Sequence, residues 1–149
     1  PKLYQYRNVV YCKITDSGIE IDRGVSKMAD KEFEGMINVY LDDFRPCPKG
    51  FVLARNVEEC LALLSNCKVN ILSLDHDLGF GEPTGYDLVK QMVQHGYYAN
   101  EIYLHTSSAS GRMNMYQLLQ KHKPEHVSIY SHPMPMDVLE RAATGGTNH

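Results

Sequence analysis

Three β-rich apolar runs in this chain end in side chains that can do chemistry. Val39-Tyr40-Leu41 runs into Asp42-Asp43, Ile71-Leu72-Ser73-Leu74 into Asp75-His76-Asp77, and Ile102-Tyr103-Leu104 into His105-Thr106-Ser107-Ser108. Neighbouring parallel strands lie ~4.8 Å apart, so carboxylates at their ends can share one ion. Several like charges held that close are unfavourable unless a proton or a cation intervenes. A divalent cation such as Mg²⁺ or Mn²⁺ would relieve the repulsion with oxygen ligands. Asp42, Asp43, Asp75 and Asp77 are therefore the candidate metal ligands. One Asp alone reads as a cap or a solvated loop acid; the double pair points to a metal or phosphate-linked site.

His76, His105 and His132 fall at or just after strand ends on the same edge, where an imidazole titrating near pH 6.5 can exchange protons. The other four histidines, His95, His122, His126 and His149, fall at helix ends, a strand start or the tail and read as structural. Residues 106–112 form a hydroxyl- and Gly-containing turn into a helix. Backbone N–H groups at such an entry, with Thr106, Ser107 and Arg112, suit a phosphate. Ser-rich helix entries are also common caps, so that signal is weak alone. Arg45 and Lys49 add positive charge beside the first acidic pair.

The elements that must position these residues alternate. Residues 36–41, 69–74, 101–105 and 126–130 read as strands, and 51–54 as a short one. Asn56, with Glu59 three residues on, caps a helix whose apolar stripe is Val57, Cys60, Leu61, Leu64 and Cys67. Thr84 and Asp87 cap a second helix that Gly96 closes. A third runs from about Gly111 and must end before Pro124. A short helix is expected near 136–142, and the tail from Thr144 as frayed. This alternation predicts an α/β fold with a mostly parallel sheet covered on both faces. Upstream, residues 3–22 alternate weakly around Asp16-Ser17-Gly18 and read as a β-hairpin, and 23–35 as a connecting loop. The expected division is an N-terminal hairpin extension, 1–35, and an α/β domain, 36–143.

Composition bounds the rest. The 149 residues suit one domain with a sizeable core. No apolar stretch approaches the ~20 residues of a membrane span, and the N-terminus lacks a signal-peptide h-region. A cytoplasmic setting, with no membrane partner, is the expectation. Four cysteines without a C-x-x-C pair read as small core residues where they share a helix face, as Cys60 and Cys67 do. A net charge of −3 argues against an extended duplex-DNA surface.

The chain resembles a receiver domain in three respects: Asp42-Asp43 after the first strand of the unit, Asp75 or Asp77 after the third, and Thr106 or Ser107 after the fourth. His132-Pro133 stands where a receiver carries Lys-Pro. The blocks Leu41-Asp42-Asp43-Phe44-Arg45-Pro46, Leu74-Asp75-His76-Asp77-Leu78-Gly79, Thr84-Gly85-Tyr86-Asp87-Leu88-Val89, and His105-Thr106-Ser107 with Gly111 and Asn114-Met115 are similar to cyclic-phosphate processing receiver domains. Ser108 departs from the Asn expected in a His-Ser-x-Asn form. The resemblance implies a receiver-like (flavodoxin-like) three-layer sandwich and processing of a cyclic phosphate. Only eight residues separate Asp42 from Phe51, whereas a parallel crossover usually needs about a dozen or more. The first receiver helix is thus expected to be reduced or displaced. Unless irregular, 51–54 is expected as an antiparallel edge strand.

The function expected from these readings is a metal-dependent phosphoesterase that hydrolyses a cyclic phosphate on a nucleotide, a cyclic oligonucleotide or an RNA end. Asp42, Asp43, Asp75 and Asp77 would hold the cation, and His76 and His105 would serve as base and acid. Asp75 is a possible nucleophile. Arg45, Thr106, Ser107, Arg112, Asn114 and His132 would orient the substrate. The alternatives are a receiver-like signalling module phosphorylated on Asp75, and a non-catalytic nucleotide-binding domain. A haloacid-dehalogenase-like phosphatase, suggested by Asp75-x-Asp77, lacks the expected strand position. The hairpin offers a surface for a homo-oligomer.

Overall fold

The structure is a computed structural model that describes residues 36–145 with their side chains, and 6–15 and 18–27 in backbone only. Strand β1 (Tyr6–Thr15) pairs antiparallel with β2 (Gly18–Lys27) as a two-stranded sheet of its own. Arg23–Lys27, expected as loop, thus lies in a strand; Asp16 and Ser17 and residues 28–35 and 146–149 lie outside the described residues.

The main sheet has five strands, all parallel: β3 (Met36–Leu41), β4 (Val52–Ala54), β5 (Lys68–Leu74), β6 (Glu101–Leu104) and β7 (Ser128–Tyr130). Their order is β4-β3-β5-β6-β7, which is 2-1-3-4-5 within this unit, the doubly wound order of receiver-like folds. Helices α1 (Val57–Asn66), α2 (Gly85–His95), α3 (Ala109–His122) and α4 (Met136–Ala143) join and flank the strands.

The antiparallel expectation for the edge strand is corrected: β4 pairs parallel to β3, Val39 with Val52 through Leu41 with Ala54. A helix-free crossover suffices because β4 needs to pair only with the last three residues of β3. The chain doubles back by just three residues, roughly 10 Å at ~3.3 Å per residue. No helix forms in residues 42–51, so the first receiver helix is missing, not merely short. Gly50, at φ +89°, lies against the carbonyl of Ala142 in α4, a spot that a Cβ would fill. The loop therefore packs directly on α4.

Strand alternation divides the core. Val39, Leu41, Leu72, Leu74, Ile102, Leu104 and Ile129 face α1–α3, with Leu63, Leu88, Val89, Met92, Met115 and Leu119 packed against them. Ile71 and Tyr103 face the other way, under Val138 and Ala142 of α4. The result is three layers. The expected helix signals are realised: the Asn56 side chain accepts from the Glu59 N–H, Thr84 and Asp87 form a reciprocal capping box, and Gly96 closes α2 at φ +74°. Helix α3 starts two residues earlier than expected, capped by Ser108. Cys60 is buried in the core, and none of Cys47, Cys60 and Cys67 is in a disulfide. Among the described residues no helix is long and apolar enough to cross a membrane.

Candidate active site at the carboxyl edge of the sheet

Strand register assembles the site. Leu41 pairs with Leu74, and Leu74 with Leu104, all on the α1–α3 face. The next residue of each strand is Asp42, Asp75 and His105, and backbone hydrogen bonds hold them level: Asp75 N–H to Leu41 O at 3.1 Å and His105 N–H to Leu74 O at 3.0 Å. Alternation sends these three side chains together toward the α4 face. Their ligand atoms lie within 4.8 Å of one another. Asp42 and Asp75 are 1% and 5% exposed.

Asp42 is saturated. Its Oδ1 accepts from the N–H groups of Phe44 (2.8 Å) and Arg45 (2.9 Å), a tight turn just after the strand. Its Oδ2 accepts from Arg45 Nη1 and faces His105 Nε2, both at 2.9 Å. Arg45 Nη1 also donates to Asp75 Oδ2 at 3.1 Å, and Asp75 Oδ1 accepts the N–H of His76 at 2.8 Å. A single guanidinium nitrogen thus sits between the two buried carboxylates, with the Arg45 side chain 41% exposed.

Burial opposes ionisation of Asp42, but the Arg45 and Phe44 N–H groups, the Arg45 guanidinium and His105 outweigh it and hold the carboxyl below its ordinary value. Burial also pushes His105 below the ordinary imidazole value, against the pull of Asp42 and Asp75 in the opposite direction. At neutral pH the pair is a carboxylate and a neutral imidazole. A carboxylate only accepts, so the imidazole proton is on Nε2, and Nδ1 is left to accept from Ser73 Oγ at 2.6 Å. The ring stacks on Tyr40, with centroids 4.5 Å apart and planes 4° from parallel. Ser73 is fully buried, which bars it from attacking a substrate; its hydroxyl orients His105.

The remaining candidates divide. His76 projects to the opposite, α2–α3 side, where its ring lies on Gly111 and its Nδ1 is 3.0 Å from Asp77 Oδ1. Thr106 is buried, its Oγ1 accepting from the Ser108 N–H and its carbonyl from Arg112 Nη1. Asp43, Asp77, Ser107, Asn114 and His132 are exposed. Asp43 and Asp77 do not join the cluster, because each follows a residue that points the other way or lies past the strand in a loop. His132 instead leans on Tyr103 and Tyr130, its Nδ1 donating to its neighbour's carbonyl at 2.7 Å. Sequence reasoning missed Ser73 and Tyr40. Their signal was available: a lone Ser in an apolar strand, two residues before Asp75, and a Tyr two before Asp42, each on the face of its aspartate.

Two carboxylates and one imidazole, all strand-held, can bind a divalent cation. The fit has one condition, that Arg45 swings out, and its exposure permits that. His105 would then turn Nε2 to the ion as a lone pair and donate from Nδ1 to Ser73, whose hydroxyl serves either tautomer. Residues 37–121, more than half of the chain, match the family model described as cyclic-phosphate processing receiver domain. No curated protein and no solved structure matches the chain.

Proposed function

From the premise that the chain belongs to the cyclic-phosphate processing receiver family, we propose that it is a metal-dependent phosphoesterase that hydrolyses a cyclic phosphate on a nucleotide, a cyclic oligonucleotide or an RNA end. The observation that carries this reading is the buried Asp42–Asp75–His105 constellation at the carboxyl edge of the sheet. A divalent cation bound there, Mg²⁺ or Mn²⁺, would polarise a phosphoryl oxygen and lower the pKa of bound water. Asp42 and Asp75 would hold it, and Asp43 and Asp77, exposed at the same end of the sheet, would add negative charge beside it. Arg45, once displaced from the carboxylates, is free to clamp the phosphate with its planar donors.

His76 is the proton carrier in this scheme, and it would have to act from the α2–α3 side of the sheet edge, across from the carboxylates. Its Nδ1–H is engaged by Asp77, which leaves Nε2 as the basic nitrogen. The water–phosphorus bond forms, one ring P–O bond breaks, and the proton of the water ends on the departing oxygen. A phosphomonoester with a free hydroxyl results. His105 is better suited to holding Asp42 and the cation than to acting as the acid, since burial keeps it neutral. Ser107, Arg112, Asn114 and His132 orient the substrate, while buried Thr106 holds the turn that presents Ser107. In this reading the β1–β2 pair is an extension to a receiver-like domain, 36–143, and offers a surface for self-association.

One observation favours a second reading, a non-catalytic signalling or nucleotide-binding module: Arg45 already neutralises both carboxylates without any ion. The test is incubation with 2′,3′- and 3′,5′-cyclic nucleotides, RNA cyclic ends and cyclic oligonucleotides, with Mg²⁺, Mn²⁺ or EDTA. Turnover that needs the metal and is lost in Asp75→Asn and His76→Ala is expected. Absence of turnover of every cyclic phosphate refutes the enzyme, and stable phosphorylation of Asp75 by a small phosphodonor would establish signalling.

A further inference from the structure

Two phenylalanines stand in water on adjoining loops that leave the carboxyl edge of the sheet. Phe44 is 90% exposed and Phe80 fully so. Isolated apolar residues on a surface are ordinary, but Phe44 is presented by backbone that the site itself holds, and Phe80 by a turn that adjoins that loop. The Phe44 N–H is fixed on Asp42 Oδ1 at 2.8 Å, which ties the base of its side chain to the buried carboxylate. Phe80 sits between Gly79 and Gly81, at φ +113° and +78°, in a turn closed by the Glu82 N–H on the Gly79 carbonyl at 3.2 Å. Two left-handed glycines on either side of one aromatic hold it at the apex of a turn with no neighbour of its own. The two loops adjoin, because Asp43 Oδ2 lies 3.6 Å from the position a Cβ would take on Gly79.

We propose that Phe44 and Phe80 are the base-binding rim of this site: the nucleobase of a cyclic-phosphate nucleotide stacks on one or both rings while its phosphate enters over Asp42, Asp75 and Arg45. The inference rests on the phosphoesterase reading for the identity of the phosphate and specifies that the substrate carries a base. Every base offers a π-face, so stacking on Phe selects nucleotides over other phosphoesters without selecting among bases. Asp43, between the two loops and exposed, supplies an acceptor for an exocyclic amine or a ribose hydroxyl.

The test compares 2′,3′-cyclic AMP with glycerol 1,2-cyclic phosphate, which has the same five-membered ring and no base. Stacking losses on this scale correspond to about 5- to 150-fold in affinity. The double variant Phe44→Ala/Phe80→Ala is expected to lose that factor in kcat/KM on the nucleotide and nothing on the glycerol ester, with its melting temperature unchanged. Phe80→Tyr is expected to retain turnover that Phe80→Leu loses. An equal loss on both substrates, or no loss on either, overturns the base rim and leaves the phosphoesterase standing. If neither substrate is turned over, calorimetric titration of 2′,3′-cyclic AMP decides: binding weakened in the double variant supports the rim, and absent or unaltered binding overturns it. A wild-type dimer that dissociates in the double variant would also overturn it, in favour of contact with a second copy.

Discussion

Asp42→Asn is the most informative single change at the sheet edge. The amide keeps Oδ1 for the Phe44 and Arg45 N–H groups, so the turn after β3 survives. It replaces Oδ2 with an NH₂ that faces two donors, Arg45 Nη1 and His105 Nε2–H. The buried bond to His105 is charge-assisted and worth roughly 1.5–3 kcal/mol, of which about 1 returns if the imidazole changes tautomer and accepts from Asn. The bond to half-exposed Arg45 adds at most ~1 kcal/mol after solvent screening. The expected net loss is about 2 kcal/mol, or ~4–8 °C in Tm for a chain of this size. Urea and thermal unfolding measure it, and ¹⁵N NMR of the imidazole reads the tautomer directly. Wild type should show the proton on Nε2 and Asp42→Asn the proton on Nδ1. The pH profile follows from linkage. The native Asp42 carboxyl lies below its unfolded value, so its contribution is full above ~pH 4 and disappears as pH falls through the native value. His105 is also depressed, so the unfolded chain takes the imidazole proton first and stability declines below ~pH 6.5. Asp42→Asn should remove the first of these losses and deepen the second, since a group that raised the His105 value is gone. Unaltered stability, or an Nε2 proton retained in the variant, refutes the assigned network.

Arg45→Met should leave two buried carboxylates without their cation and lower stability at neutral pH by about 1–2 kcal/mol, discounted for the exposure of the guanidinium. Millimolar Mn²⁺ should then raise the Tm of the variant more than that of wild type, because the ion no longer competes with Arg45; equal shifts would argue against a cation site. Two glycines test the placement of His76. A Cβ on Gly85 would strike the carbonyl of Asp75, so Gly85→Ala should cost about 1–3 kcal/mol by overpacking and move the strand end. A Cβ on Gly111 would come within 2.5 Å of the His76 ring carbon, so Gly111→Ala should displace that ring. Its ~1 kcal/mol gain in helix propensity offsets much of the strain. Turnover lost from a stably folded Gly111→Ala would therefore report on His76, and full activity would remove His76 from the mechanism.

The parts of the fold that were legible are those written locally. Helix caps, the αL glycine after α2 and the period-3.6 stripes are short-range signals, and they locate α1 and α2, although Cys67, read as part of the α1 stripe, is the C-cap and the fully buried Leu63 lies outside that stripe. The edge strand was misjudged because crossover length was judged from Asp42 to Phe51 without knowing how little of β3 the partner needed to pair with. Three ladder pairs require a short return, and no local pattern encodes that number. The candidate site shows the same division. Alternation after a strand implies that Asp42 and Asp43 point apart, and that Ser73 shares a face with Asp75. Which of two adjacent acids turns inward depends on register across three strands, and register is a property of the sheet.

The missing helix and the arginine between the carboxylates are one feature. A helical crossover after β3 would carry residue 45 upward and away through the first turn of a helix. Here the chain instead turns back at once on Asp42 Oδ1, which fixes the N–H of Arg45 at 2.9 Å and aims its side chain across Asp42 to Asp75. Gly50 lets the returning loop lie on the Ala142 carbonyl, so α4 covers the sheet that a first helix would have shared. The loop that replaced the helix therefore also delivers a built-in cation to the acids. Displacing that cation from the acids is the step that a divalent ion would have to make on entry. Ligand affinity at this edge should accordingly respond to residues 46–51, outside the Asp42–Asp75–His105 cluster, through the strength with which they hold the turn closed.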